Sequence, residues 1–346
     1  MRIGVATVQC PFIRGGAEAH VRNLTQAIAR AGCDVEVIAM PFRFHPIEQV
    51  RRSMDVWESE DLEQVNGYHM DRVICMKFPA YYLRHPNKVA WLIHQHRAVY
   101  ELWETPYVGA LPSLPGAQEL RNDIVQRDTA SLAACRQVFT ISRVVSDRLK
   151  NFNGISSQAL YHPPPIADHL YTEKAEGYIL APSRLETLKR LDLIIEAMCF
   201  VRSPVVTFIA GDGGQKAALA RKIEELNLSH RVRLVGNVTE DDMPAWYARC
   251  LGVFFGPYSE DMGYITLEAM LAAKPVITCT DSGGPLEFVV DRENGYVVPP
   301  DPREVADAID RLYEHPGRAA SMGRAGLERY WHLDISWDRV VEKLVA

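Results

Sequence analysis

The sequence predicts an α/β protein built from two Rossmann-like parallel-sheet domains facing a central cleft. Three observations carry this. Short apolar, β-rich runs alternate with amphipathic helical patterns along the chain, and that alternation implies parallel strands joined by helical crossovers. The pattern breaks most clearly at Tyr161-His162-Pro163-Pro164-Pro165, where three prolines can continue neither a helix nor a central strand. A length of 346 residues also exceeds what one small core needs and suits two domains. The expected division is 1–165 and 166–346, with the final helix a candidate to cross back onto the first domain.

The elements follow in order. Ile3 to Val8 reads as a buried strand, and His20 to Ala31 as an amphipathic helix stopped by Gly32. Val35 to Met40 is a second strand, ended by Pro41. Val73 to Met76, Val89 to Ile93 and Gln137 to Ile141 are further strands. Beyond the prolines the runs are Tyr178 to Ala181, Val205 to Ala210, Val232 to Val235, Val253 to Phe255 and Pro275 to Thr278. In parallel sheets ligands sit beyond the carboxyl ends of strands, so the residues after each run are the site candidates.

Composition excludes several classes. Apolar content of 47% with 24% charged residues is ordinary for a soluble globular protein. The net charge of -6 and the lack of a dense Lys/Arg run argue against a nucleic-acid partner. The acidity lies in the second half, and the first 165 residues are slightly basic. Seven scattered cysteines without C-x-x-C spacing suit reduced thiols in a cytoplasmic protein. The first residues do not resemble a signal peptide. No apolar run reaches the length of a membrane span; peripheral membrane contact stays open.

The residues after the strands carry polar chemistry. Arg184, Lys189 and Arg190 follow the Tyr178 run and crowd a helix start. Cations there oppose the helix dipole, which makes sense if an anion such as a diphosphate binds. Taken alone, the stretch reads equally well as a solvated basic turn. Gly211-Asp212-Gly213-Gly214 follows the next strand, and glycines let backbone approach a ligand closely. Gly236-Asn237-Val238, after Val235, offers backbone to a base.

The densest stretch runs from Pro257 to Pro275. Glu260 and Glu268 flank Gly263, which turns the chain into a helix expected over Ile265–Ala273. Amides of Gly263, Tyr264 and Ile265 would face phosphate or sugar oxygens. Glu268 is expected in the first turn of that helix. Asp281-Ser282-Gly283-Gly284 is another glycine turn at a strand end. In the first half, Arg14-Gly15-Gly16-Ala17-Glu18 sits between the first strand and first helix. Lys77-Phe78-Pro79 and His94-Gln95-His96-Arg97 end later strands. On a strand His94 and His96 would share a face, yet no third metal ligand is visible. His94 is read as contacting sugar hydroxyls. His45, His69 and His162 read as surface or packing histidines. Tyr81, Tyr82, Trp91, Tyr100, Trp103 and Tyr107 form an aromatic cluster whose commoner fate is core.

Together these residues resemble the retaining glycosyltransferases of family 4, which have the GT-B fold, over most of the chain. The likeness is strongest in Arg184 with Lys189, in Gly211-Asp212-Gly213-Gly214, and in Glu260 and Glu268 followed by Ala269-Met270. It implies that Arg184 and Lys189 hold a donor diphosphate, that Glu260 contacts the donor sugar, and that Glu268 binds the ribose. With His94, the first three form the implied catalytic set. Gly15, Gly16, Gly211, Asp212, Val235, Asn237, Val238, Gly263, Tyr264 and Ile265 complete the donor site. Lys77, His96 and Arg97 fall on the acceptor side. Two departures stand out: Lys77 replaces the histidine of a His-x-Pro-type segment, and Pro163–Asp168 replaces the usual Asn-Gly-Val-Asp. The amino-half segments look like a bacterial surface-polysaccharide subgroup.

The resemblance implies glycosyl transfer from a UDP- or GDP-sugar to a saccharide or lipid-linked acceptor hydroxyl, with anomeric configuration retained. No Asp-x-Asp motif is present, so no metal or other cofactor is expected. A nucleotide-sugar epimerase, a phosphorylase and a non-catalytic sugar-nucleotide-binding subunit are the rivals. A dehydrogenase fits poorly, because the first strand lacks a following G-x-G-x-x-G.

Overall fold

The computed structural model describes every residue except Ile13 and Arg14. It divides into two compact units, Met1–Pro165 with Ser336–Ala346, and Ile166–Ile335.

The first unit contains β1 (Arg2–Gln9), α1 (Gly16–Arg30), β2 (Asp34–Pro41), α2 (Ile47–Ser59), β3 (Gln64–Val65), β4 (Tyr68–His69), β5 (Arg72–Lys77) and β6 (Lys88–His94). It continues with α3 (Ala117–Ala133), β7 (Gln137–Thr140), α4 (Arg143–Asn153) and β8 (Gln158–Ala159). Six strands pair in the order β2-β1-β5-β6-β7-β8, every pairing parallel. β3 and β4 form a small antiparallel pair. β5 and β6 are enclosed on both faces, which is why they read as continuous apolar runs. Strand order reverses between β1 and β5, so this sheet has a switch point at the ends of those two strands.

The second unit contains β9 (Tyr178–Pro182), α5 (Leu191–Ala197), β10 (Val206–Ala210), α6 (Lys216–Glu225), β11 (Val232–Gly236), α7 (Met243–Arg249) and β12 (Gly252–Phe254). It ends with α8 (Tyr264–Leu271), β13 (Val276–Cys279), β14 (Gly295–Val298), α9 (Pro302–Glu314) and α10 (Pro316–His332). Its sheet runs β11-β10-β9-β12-β13-β14, again all parallel. Two apolar clusters cover its faces. The order reverses between β9 and β12, so the second switch point lies where those strands end.

The last helix, α11 (Trp337–Val345), belongs to the first unit. Ser336 starts it by accepting a hydrogen bond from Arg339 N at 3.2 Å, a standard N-cap. Trp337 stacks on His162 with ring centroids 5.5 Å apart, and His162 lies 3.8 Å from His20 of α1. At the other end Arg72 donates to Leu344 O at 2.7 Å. Burial pulls the His162 imidazole down to about 3 and holds His20 well below its usual range. Both rings are therefore neutral packing groups.

Candidate functional site

The second unit's switch point is made by two loops, 183–190 after β9 and 255–263 after β12. Backbone hydrogen bonds zip them to their neighbours. Ser183 N donates to Ala210 O and Leu185 N to Asp212 O, both at 2.9 Å, and Gly211 N donates to Gly236 O at 2.7 Å. On the other side Tyr258 N donates to Leu188 O, Glu260 N to Ser282 O and Gly284 N to Glu260 O, each at 2.8 Å. The result is one continuous rim along the carboxyl ends of the strands.

This rim explains the glycines differently from the sequence reading. A Cβ on Gly211, whose φ is +140°, would lie 1.9 Å from Ser183 O. One on Gly283 would lie 2.6 Å from Glu260 O, and one on Gly284 2.6 Å from Met262 O. These glycines let loop approach loop. Asp212 serves the same turn: it accepts from Gly213 N at 2.9 Å and pairs with Lys216 at 3.3 Å. The Gly213 hydrogen bond and Lys216 lower its carboxyl below the usual range.

The rim brings Lys189 and Glu260 together. Lys189 ends a short 3-10 turn, and its Nζ donates to Glu260 Oε2 at 2.5 Å. Lys189 Nζ also lies 5.6 Å from the centre of the Phe255 ring. An ammonium has three donors, so this one can hold Glu260 and a further anion. Arg184, in the same loop, is exposed, and no side-chain hydrogen bond or ion pair reaches it among the described residues. Arg190 departs from expectation. Its guanidinium forks onto Asp281 at 2.6 and 2.8 Å and onto the carbonyls of Gly256 and Pro257. The basic crowd is thus two residues, with Arg190 acting as a buried clamp.

Gly263, at φ +87°, is the N-cap of α8. The helix starts at Tyr264, one residue earlier than expected, and ends at Leu271. Glu268 therefore lies in the second turn and does not complement the helix dipole. It is half-buried. Burial pushes its carboxyl up to about 7, the nearby Glu240 charge adds to the rise, and a hydrogen bond from Tyr247 opposes it. That bond, from Tyr247 Oη to Glu268 Oε2, is 2.6 Å. Tyr247 was missed in the sequence: it stands on α7, and no spacing signal links it to Glu268. Tyr264 and Ile265 are half-buried on α8. Val235 and Val238 pack against one of the apolar clusters, and Asn237 is exposed.

In the first unit the switch-point strands β1 and β5 end near Lys77. Its Nζ lies 3.8 Å from Glu18 Oε1 in the first turn of α1. Lys77 is also the register partner of His94 across β5 and β6. Gly15 is the N-cap of α1 and Gly16 its first residue; Arg14 lies outside the described residues. The chain leaves the sheet after His94, so His94 and His96 do not share a strand face. His96 is buried beside Phe78, 5.2 Å between centroids, and burial pulls its imidazole down to about 4. Arg97 pairs with Glu101 at 2.5 Å, and Arg148 lies 3.3 Å from the same carboxylate. Lys77 and His94 thus sit side by side, while His96 and Arg97 are held within the unit. Tyr81, Tyr82, Trp91 and Tyr100 are core. No cluster of metal-ligating side chains occurs among the described residues. No helix among them is long and apolar enough to cross a membrane.

Comparison with known proteins bears on this architecture. Residues 169–329 match the family model described as "Glycosyl transferases group 1". The human alpha-1,3/1,6-mannosyltransferase ALG2 is 25% identical over 236 residues, 60% of this chain and 56% of that protein. The chain thus spans just over half of that relative. Among solved structures, sucrose-phosphate synthase from Thermosynechococcus elongatus superposes with a TM-score of 0.78 at 18% identity, covering 99% of this chain and 96% of the other. HepE of Anabaena, in complex with UDP and glucose, gives 0.72 at 17% identity, covering 100% and 98%. The two parallel sheets are those of the GT-B fold.

Proposed function

We propose that this chain, which through residues 169–329 belongs to the group 1 glycosyltransferases, moves a sugar from a nucleoside diphosphate to an acceptor hydroxyl with retention at the anomeric carbon. One observation carries the reading: the two loops at the second switch point place Lys189 against Glu260 at 2.5 Å. That couples a phosphate-binding cation to a sugar-binding carboxylate, as the junction between a diphosphate and its sugar requires. In this reading Lys189 and the exposed Arg184 take the diphosphate, and Glu260 accepts from the sugar hydroxyls. The α8 amides near Gly263 face the phosphates, and Glu268 accepts from the ribose.

The barrier lies in breaking the bond between C1 and the phosphate oxygen as negative charge grows on the leaving group. Fixed donors act in proportion to that charge. Glu260 is paired with a cation, which suits a ligand of sugar hydroxyls and not a general base. The leaving phosphate takes the acceptor proton on the same face. The amino-terminal unit supplies the acceptor side, where Lys77 and His94 stand. HepE was solved with UDP and glucose, which favours UDP among the donors to test first. The reaction is proposed to run without a divalent ion, so a chelator should leave turnover unchanged.

The test is thermal shift with UDP, GDP, ADP and their sugars in metal-free buffer. A ligand at 100 times its dissociation constant adds about 2.7 kcal/mol to stability. A clear rise with one base is expected; no response to any of them would sink the reading. A donor consumed without acceptor would favour the epimerase instead.

A further inference from the structure

Tyr247 is fully buried in the face of the second sheet, packed among Tyr178, Leu180, Val253 and Ala269. A buried phenol needs a hydrogen-bond partner, and this one has a carboxylate, Glu268 Oε2, at 2.6 Å. The ring cannot swing without disturbing its neighbours. It therefore fixes the carboxylate, and not the reverse. Among the described residues no other hydrogen bond reaches Glu268, so Oε1 is the oxygen left to face a ligand.

We propose that Tyr247 is the positioning residue of the donor site: it holds Oε2 of Glu268 so that Oε1 is presented to the ribose hydroxyls. The inference rests on the donor reading above and adds to it a proton linkage. The groups facing Glu268 are Tyr247 of α7, Tyr264 of its own helix and Glu240 ahead of α7. None is a cation. Burial therefore holds this carboxyl back from ionising, with its proton lost only near neutrality. Ribose hydroxyls donate, and they stabilise the charged form. Nucleotide binding must then expel the proton from Glu268 when pH is below about 7, and affinity must climb as pH rises towards that value. Tyr247 already offers one hydrogen bond to the charged form, so losing it should move the climb to higher pH.

The experiment is isothermal calorimetry with the diphosphate nucleotide that gives the larger thermal shift, UDP or GDP. It is run on the whole chain from pH 5.5 to 8.5, in buffers of different ionisation enthalpy. The parent should release a proton on binding at the acid end and none at the alkaline end. Tyr247→Phe should bind about tenfold more weakly at neutral pH, the loss expected for one hydrogen bond to a charged group. Its affinity midpoint should shift upward by about one pH unit, with donor KM raised and kcat nearly unchanged. Glu268→Gln, a permanent mimic of the protonated acid, should bind weakly and keep only the proton release of the nucleotide's own terminal phosphate, which ionises at about pH 6; it covers the case that Tyr247→Phe does not fold. A parent that binds nucleotide with no more proton release than Glu268→Gln would overturn the inference and leave the donor reading standing. So would a folded Tyr247→Phe with parental affinity and midpoint. A parent that binds neither nucleotide overturns both.

Discussion

Removing the ammonium of Lys189 separates the chemistry of the rim from its architecture. Lys189 and Glu260 are only 15% and 17% exposed, with 2.5 Å between Nζ and Oε2. Lys189→Ala leaves Glu260 largely enclosed and without its cation. A hydrogen bond to a charged group is worth about 1.5–3 kcal/mol, and the exposed edge of Glu260 puts the expected loss at the low end. For a unit of the size of Ile166–Ile335 that corresponds to a fall of about 3–6 °C in melting temperature. The loops should stay in place, because Leu188 and Ser282 hold them through backbone hydrogen bonds that the mutation does not touch. The catalytic loss should be larger. A fixed donor that meets charge developing on the leaving group is typically worth about 100-fold in kcat, while donor KM should move by less than about threefold. The assay is steady-state transfer with a matched melt. Glu260→Gln completes a double-mutant cycle, and the double variant should cost little more than the worse single one, since the pair acts as a unit. A folded Lys189→Ala variant with parental kcat would refute the assignment of Lys189 to the leaving group.

Two further outcomes test the frame. Gly211→Ala should lose about 1–3 kcal/mol by overpacking and bind nucleotide poorly, because its Cβ would meet Ser183 O at 1.9 Å. Gly214→Ala is its control, since the nearest atom there is the flexible Glu186 Oε2 at 3.8 Å; equal melting curves for the two would contradict the zipped rim. Burial pulls the His162 imidazole down to about 3 in the fold, against about 6.5 for the unfolded chain. The unfolded chain binds the extra proton between those values, so stability is full above about 6.5 and falls as pH drops. At about pH 5 the penalty is about 2 kcal/mol. His162→Phe should narrow the gap between its melting temperatures at neutral and acid pH relative to the parent, and an unchanged acid dependence would exclude this source.

The fold was legible because buried parallel strands write themselves as unbroken apolar runs. Tyr178–Ala181 and Val89–Ile93 needed only their composition, and every strand expected from the sequence forms. Short edge strands such as Gln158–Ala159 and Gly295–Val298 carry too little pattern to be seen alone. The rim was legible in its residues but not in its contacts. Gly211 and Gly283 announced close approach, yet only the loop pairing reveals that backbone is the neighbour. Arg184, Lys189 and Arg190 look alike in sequence. Arg190 differs because its left-handed backbone (φ +49°) precedes a guanidinium committed to Asp281, far along the chain. His96 was misplaced for a related reason: strand alternation stops mattering once the chain leaves the sheet at His94. Tyr247 left no trace, because a single buried phenol on another helix makes no periodic signal.

Glu260 and Glu268 are the same side chain eight positions apart, and their surroundings divide their work. Glu260 has a cation at contact distance, Lys189 Nζ at 2.5 Å. In the proposed donor site its place is to orient the sugar hydroxyls. Among the described residues no cation faces Glu268, and its neighbours are a phenol donor and another carboxylate. Burial makes its charge costly, and the hydroxyl donors of the proposed ribose would relieve that cost. A ligand that brings two adjacent hydroxyls repays the ionisation; one that lacks them does not. In the proposed donor site the raised carboxyl of Glu268 is expected to select a ribose over a deoxyribose. A 2′-deoxy donor should lose affinity most steeply at the alkaline end of the range, where the parent ligand's second hydroxyl meets a full negative charge, and the two nucleotides should converge as the medium is made acid. Equal loss at every pH would mean that Glu268 reads shape and not charge.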